Sequence, residues 1–245
     1  MTGLPGSGKT SWAAGAPNPG FVAGETGHGN GLLPIAQRGF DYVVPKTYED
    51  LMQVATGGIF ADKDTIVVDG MSEIAGTIIK DKALTVPRTR GDSEKRRMGV
   101  PELDDYMTMG ELTRRFLRTL LQLDKNIIIT SLLRMYQPAD PVEKRKEKIG
   151  GPDLPGEMAV TIGAMVDHVL WLRTRPALRN GDPKQRYTER YFQTVGSGEY
   201  IAKSRSSVSQ AQILPAEVVF DPASDRGTFA DLFKQVEAAY AGLKQ

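Results

Sequence analysis

The 245-residue sequence contains no cysteine and only two histidines, His28 and His168. The absence of cysteine excludes disulfide bonds, a cysteine nucleophile, iron–sulfur clusters and thiolate zinc sites. Two histidines leave little room for a metal site built on imidazole ligands. A chain without cysteine also fits a reducing compartment.

Long hydrophobic segments are also missing. Apolar runs such as residues 66–68 and 127–129 are short, whereas a helix that spans a bilayer needs about 20 apolar residues. The N-terminus lacks the basic-then-apolar pattern of a signal peptide. We therefore expect a cytoplasmic protein without a membrane partner. Its length and its 40% hydrophobic content predict a single domain, residues 1–245, with a sizeable core.

The chain as a whole has almost no net charge, but two stretches carry an excess of basic side chains. The net charge is +1, so the molecule as a whole does not attract a polyanion. Residues 80–100 carry seven basic and three acidic side chains, and residues 171–210 carry eight and three. Such stretches indicate either a polyanionic partner or an ordinary solvated surface.

Residues 3–10 read Gly-Leu-Pro-Gly-Ser-Gly-Lys-Thr, which fits the phosphate-binding pattern G-x-x-x-x-G-K-[ST]. The glycines allow successive backbone amides to point at phosphate oxygens. We expect Lys9 to bridge the β- and γ-phosphates and Thr10 to ligate Mg²⁺ through its hydroxyl group. The predicted nucleotide-binding residues are Gly3, Leu4, Pro5, Gly6, Ser7, Gly8, Lys9, Thr10 and Ser11.

Short apolar runs alternate with helical patterns through the first 130 residues, which predicts a parallel sheet flanked by helices. The predicted strands are residues 21–23, 42–44, 65–69 and 126–130, and the predicted helices are residues 9–15, 48–55 and 103–123. Ligands bind at the carboxyl ends of the strands in such sheets. Glu25, Asp69 and Thr130 all follow a predicted strand, so we expect them near the phosphate loop.

Each of these polar residues has a predicted role and an alternative. Asp69 is expected to hold Mg²⁺, although it could instead cap a turn with Gly70. Glu25 and Glu73 are both candidates for the base that activates water, and Glu25 is favoured because a strand end is better placed than a following helix. Thr130 contacts the γ-phosphate or the attacking water, or is a plain strand end.

The rest of the chain shows irregular stretches, strands and a terminal helix. Residues 81–101 and 137–156, which contain several prolines and glycines, are predicted to be mobile basic loops. Residues 167–173 and 187–195 are predicted to be paired strands, residues 160–164 part of a helix, and residues 199–204 a short strand. A final amphipathic helix is predicted over residues 229–243.

In its ordered set of motifs the chain resembles the RecA-type P-loop ATPases. The motifs are the phosphate loop, Phe-Val-Ala-Gly-Glu ending at Glu25, Thr-Ile-Val-Val-Asp ending at Asp69, Pro-Asp-Leu-Pro-Gly at 152–156 and Ala-Lys-Ser-Arg at 202–205. Among those ATPases it looks most like the compact phage nucleotide-binding proteins, some of which are single-strand annealing recombinases. The resemblance implies an α/β RecA-like core with a mainly parallel twisted sheet, helices on both faces and an antiparallel C-terminal extension.

The same resemblance implies site residues beyond the phosphate loop. Lys203 and Arg205 would act in trans on the γ-phosphate of a neighbouring subunit, with a solvated strand face as the alternative. The two basic loops would contact DNA. The residues concerned are Arg88, Arg90, Lys95, Arg96, Arg97, Lys144, Arg145, Lys146 and Lys148. The family also carries its phosphate loop on a first strand, and we expect this chain, which begins at Met1, to lack that strand.

The resemblance therefore predicts an ATPase that uses ATP and Mg²⁺ and acts on single-stranded DNA in phage recombination or replication, in the cytoplasm of the bacterial host. It implies self-association into a ring or filament and a single-stranded-DNA-binding protein as a further partner. Two alternatives stay open. One is a nucleotide-binding DNA-annealing or scaffold module with little turnover, and the other is a small-molecule kinase.

Overall fold

The computed structural model describes residues 1–24, 33–86, 100–136, 149–179, 182, 184–197, 200–204, 214–221, 224 and 226–242. The chain divides into two compact units. Unit 1 comprises residues 1–17, 132–152 and 162–245, and unit 2 comprises residues 18–131 and 153–161. The expectation of one domain over residues 1–245 stays a prediction.

Twelve strands and eight α-helices are defined within the described residues. The strands are β1 Thr2–Gly3, β2 Pro19–Ala23, β3 Tyr42–Val43, β4 Thr65–Asp69, β5 Asn126–Ile129, β6 Ser131–Tyr136, β7 Ile149–Pro152, β8 His168–Val169, β9 Trp171–Leu178, β10 Arg186–Gln193, β11 Lys203–Ser204 and β12 Glu217–Phe220. The α-helices are α1 Lys9–Ala13, α2 Leu33–Gln37, α3 Tyr48–Ala55, α4 Met71–Ile74, α5 Lys80–Thr85, α6 Leu103–Leu120, α7 Met158–Met165 and α8 Phe229–Gly242.

Unit 2 is built on a parallel four-stranded sheet with the order β3-β2-β4-β5. Strand β4 is apolar on both faces, and Ile66, Val67 and Val68 are fully buried, as expected for a strand covered on each side. Helix α6 contributes Phe116 and Leu117 to the core. The predicted bounds of β4 and α3 are confirmed.

A continuous helical segment follows β4 and corrects one expectation. Helix α4, a π-helical turn at Ala75–Ile79 and α5 succeed one another without a break. Residues 81–85 were expected to open an irregular loop, but they belong to α5. Glycine and proline are absent between residues 77 and 86, and the buried Ile79 and Ala83 anchor this segment, so the helix persists until it approaches Pro87.

Unit 1 contains a mixed six-stranded sheet with the order β12-β10-β9-β1-β6-β7. Strands β9 and β10 pair antiparallel over their full lengths, and β12 extends the antiparallel part. The predicted antiparallel pairing and the antiparallel C-terminal extension are therefore confirmed, but the predicted first strand, residues 167–173, is divided between β8, which pairs with β11, and β9. Two-residue strand β1 pairs parallel with β9, so the expectation that no strand precedes the phosphate loop is wrong.

A second correction concerns the predicted loop at residues 137–156. Its residues 149–152 form β7, which pairs antiparallel with β6. A side chain at Gly150 would meet the Tyr200 ring at 2.6 Å. The glycines of this segment predicted a loop. In the structure the absence of a side chain at Gly150 instead allows the strand to lie close to the Tyr200 ring.

The fold is α/β, with a parallel sheet in unit 2 and a mixed sheet in unit 1, as expected for a RecA-like core. In unit 1, Trp12 of α1 packs against Phe192 of β10 and Phe229 of α8, with ring centroids 5.2 and 5.5 Å away. No helix in the described part of the chain is long and apolar enough to cross a membrane.

Candidate nucleotide site

The phosphate loop of unit 1 connects β1 to α1. Strand β1 is held by β9, since the Thr2 amide donates to the Leu170 carbonyl at 2.8 Å. Gly6 and Gly8 have φ angles of 73° and 103°. These left-handed conformations are strained for any residue with a side chain. The two glycines therefore allow the reversal of the chain that the sequence motif predicted.

Lys9 closes over its own loop. Its Nζ atom donates to the carbonyl oxygens of Gly3 at 3.0 Å and Leu4 at 2.9 Å. The ammonium group is thus fixed at the mouth of the loop by two neutral acceptors. Phosphate oxygens are stronger acceptors for an ammonium group than peptide carbonyls, so a bound nucleotide can take their place.

Ser7 is a buried residue of the loop itself. Its Oγ atom has no hydrogen-bond partner among the described residues. A Cβ atom at Gly3 would stand 2.9 Å from this Oγ and 2.8 Å from the Leu172 carbonyl oxygen. Gly3 is therefore needed for the close approach of the loop to β9.

Arg190 of β10 contacts the loop and was missed by the sequence analysis. Its Nε atom donates to the Ser7 carbonyl oxygen at 3.0 Å. A Cβ atom at Gly8 would lie 3.2 Å from the same Nε. Because 183 residues separate Arg190 from Ser7, no local motif could have revealed this contact.

Unit 2 brings Asp69 and Thr130 together at the carboxyl ends of β4 and β5. The Thr130 hydroxyl group donates to Asp69 Oδ1 at 2.6 Å and accepts from the Gly70 amide at 2.9 Å. Thr130 is fully buried. Its hydroxyl group therefore orients the Asp69 carboxylate, a role that was not predicted from the sequence.

Two carboxylates were candidates for the water-activating base. Glu25 lies outside the described residues, but the preceding Gly24 donates its amide to the Asp69 carbonyl oxygen at 2.7 Å. A Cβ atom at Gly24 would meet the Gly70 carbonyl oxygen at 2.4 Å, so only glycine fits there. Glu73 is exposed on α4.

Lys203, a predicted trans-acting residue, lies on β11 of unit 1. Strand β11 pairs with β8, which places Lys203 opposite Val169 and Ser204 opposite His168. His168 Nδ1 lies 3.2 Å from Ser204 Oγ. Burial lowers the pKa of His168, and the charge of Lys203 lowers it further, whereas that of Asp167 raises it.

Several predicted residues lie outside the part of the chain that the structure describes. Glu25 and Arg205 are two of them. The others are the candidates for DNA contact, Arg88, Arg90, Lys95, Arg96, Arg97, Lys144, Arg145, Lys146 and Lys148. Within the described residues, no cluster of three or more histidine, aspartate and glutamate side chains is placed to hold a metal ion.

Comparison with known families adds an independent finding to this geometry. Residues 1–206 match the family described as AAA domain. The chain belongs to this family. Membership confirms the prediction at its broader level, a nucleotide-binding P-loop ATPase family that is consistent with the RecA-like fold. The proposed phage subgroup stays a prediction.

The solved structures that match this chain include two proteins. One is the KaiC-like protein PH0186 from Pyrococcus horikoshii, with 14% identity, coverage of 90% of this chain and 82% of that chain, and a TM-score of 0.46. The other is the flagellar accessory protein FlaH from Methanocaldococcus jannaschii, with 14% identity, coverage of 89% and 82%, and a TM-score of 0.38. No curated protein matches the chain.

Proposed function

We propose that this protein is a Mg²⁺-dependent ATPase that acts on single-stranded DNA. The observation that carries the ATPase part is the phosphate loop. Its glycines adopt left-handed conformations at two positions, and Lys9 is fixed at its mouth by carbonyl oxygens that a phosphate can replace. Membership in the AAA domain family supports the same conclusion.

The proposed roles follow from the chemistry of each group. The loop amides and Lys9 bind the β- and γ-phosphates, and Thr10 ligates Mg²⁺. Asp69 binds Mg²⁺ directly or through a water molecule, with its carboxylate oriented by Thr130. Glu25 accepts the proton of the attacking water. Bound Mg²⁺ would neutralise the charge that develops on the phosphates.

An ATPase assay with three variants tests this proposal. Lys9→Ala and Asp69→Asn are expected to reduce the rate of phosphate release on the order of a hundredfold, because each removes a group that stabilises developing charge. Lys184→Ala is the matched control, since Lys184 is an exposed lysine of unit 1. Equal rates for Lys9→Ala and Lys184→Ala would refute the assignment of the loop.

The DNA part is supported by the basic stretches of the sequence. It predicts that single-stranded DNA binds at low salt, stimulates ATP hydrolysis and is released as salt increases. Fluorescence anisotropy with a labelled oligonucleotide measures binding, and the ATPase assay is repeated with and without DNA. A rate of hydrolysis that DNA does not change, together with no binding at low salt, would remove DNA from the proposal and leave the ATPase intact.

Self-association is the remaining part, in which Lys203 and Arg205 complete the site of a neighbouring subunit. A mixing experiment tests it. Lys9→Ala and the double variant Lys203→Ala/Arg205→Ala are each expected to be inactive, and their mixture is expected to recover part of the activity, because some interfaces then contain two intact halves. A mixture that stays as inactive as its components contradicts action in trans.

A further inference from the structure

Arg190 places a positive charge at the phosphate loop without an ion-pair partner among the described residues. Its Nε atom donates to the Ser7 carbonyl oxygen at 3.0 Å, and the side chain is half-buried. Arg175 of the neighbouring strand is neutralised by Glu189 and Glu217, at 2.7 and 2.9 Å. The ion pairs found within the described residues include none with Arg190. Among the described residues, its guanidinium group makes its hydrogen bond with the loop.

The backbone of Arg190 is fixed from both sides. Strand β10 lies between β9 and β12, and Arg190 is paired with Thr174 on one neighbour and Phe220 on the other. A central strand position moves little, because its hydrogen bonds hold it on each side. Arg190 is thus presented to the loop from a rigid support.

The contact determines how one peptide unit of the loop is oriented. In a trans peptide the C=O and N–H bonds point in opposite directions, and no peptide bond of the described chain is cis. When Arg190 holds the Ser7 carbonyl oxygen, the N–H group of Gly8 points away from the guanidinium group. The cation also polarises the peptide, which makes this N–H a stronger donor.

Gly8 shows that the guanidinium group lies directly against the loop. A Cβ atom at this position would stand 3.2 Å from Nε and 3.4 Å from Cδ of Arg190. The φ angle of 103° at Gly8 is available to glycine with little strain. The conformation of Gly8 and the position of Arg190 are therefore mutually dependent.

We propose that Arg190 is a positioning residue that holds the Ser7–Gly8 peptide in the orientation that receives the phosphate oxygens of a nucleoside triphosphate. This inference rests on the proposed function of the loop. Arg190 acts through the peptide unit, and its charge adds to the positive potential that attracts the phosphates.

The experiment compares Arg190→Met with Arg186→Met. Arg186 is an arginine of the same strand, four residues away and exposed, so its replacement removes an equal charge without touching the loop. The dissociation constant of a non-hydrolysable imido analogue of ATP is measured with Mg²⁺ by titration calorimetry. Irreversibly unfolded protein lowers the stoichiometry of the titration and leaves this constant unchanged, and the titration is done well below the melting temperature of each variant so that reversible unfolding does not raise it.

We expect Arg190→Met to weaken binding of the analogue about tenfold, which corresponds to about 1.4 kcal/mol, and Arg186→Met to leave it unchanged. In the ATPase assay Arg190→Met is expected to raise KM more than it lowers kcat, because a group that orients the loop acts on binding of the phosphates. A merely structural role would lower the melting temperature and leave KM as it is.

Two further variants keep the result decisive. If Arg190→Met does not fold, Arg190→Gln, which is also uncharged but retains a polar side chain, takes its place under the same expectation.

Equal dissociation constants for the Arg190 and Arg186 variants would overturn the inference. If Lys9→Ala also binds the analogue like the unmodified protein, the proposed function itself fails. If Lys9→Ala loses binding while the Arg190 variant does not, only the role of Arg190 fails.

Discussion

At the scale of single residues, Thr130 shows how a buried hydroxyl group can orient a carboxylate. One oxygen atom donates to Asp69 and accepts from the Gly70 amide, which links the ends of two adjacent strands. A buried hydroxyl group with both bonds made resists rearrangement, because each lost bond would leave a polar group without water. The orientation of the Asp69 carboxylate is therefore fixed by Thr130.

Replacement of Thr130 by valine tests this role. Valine has nearly the same shape but lacks the hydroxyl group that bonds the Gly70 amide and Asp69. The free energy of unfolding is expected to fall by about 1–3 kcal/mol, and the Mg²⁺ concentration needed for half-maximal ATPase activity is expected to rise. Urea unfolding and a Mg²⁺ titration measure the two effects. Thr130→Ser, which keeps the hydroxyl group, is the control, and a serine variant as impaired as the valine variant would contradict this explanation.

His168 makes stability depend on pH. Burial lowers its pKa, Lys203 lowers it further and Asp167 raises it, so the folded state binds the proton less tightly than the unfolded state, whose pKa is about 6.5. The free energy of unfolding should then fall as pH decreases below about 6.5 towards the lower folded pKa, because the unfolded state takes up more protons.

Urea unfolding at several pH values between 5 and 8 measures this dependence. His168→Gln is expected to remove the part of the pH dependence that His168 contributes. As pH falls, the free energy of unfolding of the unmodified protein should therefore decrease relative to that of His168→Gln. A constant difference across this range would show that His168 does not titrate differently in the two states.

At the scale of elements, the start of α3 shows how local sequence determines where a helix begins. The Thr47 hydroxyl group accepts from the Asp50 amide at 3.1 Å, and the Asp50 carboxylate accepts from the amides of Lys46 and Thr47 at 2.9 Å each. These bonds satisfy amides that have no partner within the helix. The predicted helix 48–55 begins at Tyr48 because its cap is encoded in adjacent residues.

Thr47→Ala removes this cap. The free energy of unfolding is expected to fall by about 1 kcal/mol, as measured by urea unfolding. Thr56→Ala, at the other end of α3, is the control, because the Thr56 hydroxyl group only donates to the Gln53 carbonyl oxygen. A loss in Thr56→Ala that matches the loss in Thr47→Ala would rule out capping as the cause.

Elements whose partners are distant in sequence were harder to predict. Strand β7 contains two glycines and was expected to be part of a loop, yet β6 and Tyr200 hold it in place. Two-residue strand β1 has no periodicity at all, and it is defined by its pairing with β9. In both cases the decisive contacts come from far along the chain, where a local pattern carries no information.

At the scale of the whole molecule, nucleotide binding should stabilise the folded protein. A ligand that binds the folded state alone adds about 2.7 kcal/mol at a concentration of 100 times its dissociation constant. Mg²⁺ with an ATP analogue is therefore expected to raise the melting temperature of the unmodified protein and of Lys184→Ala. Lys9→Ala should show little shift, and a full shift in that variant would separate nucleotide binding from the phosphate loop.

The amino-acid sequence alone determined the features that depend on neighbouring residues. These are the phosphate loop with its glycines, the buried strand ending at Asp69, the capped helix α3 and the parallel αβ pattern of unit 2, and each follows from residues a few positions apart. The tertiary structure decided the use of the Thr130 hydroxyl group on Asp69 and the contact of Arg190 with Ser7. Those contacts join residues 61 and 183 positions apart, and they arise from strand pairing and register, which depend on the whole sheet.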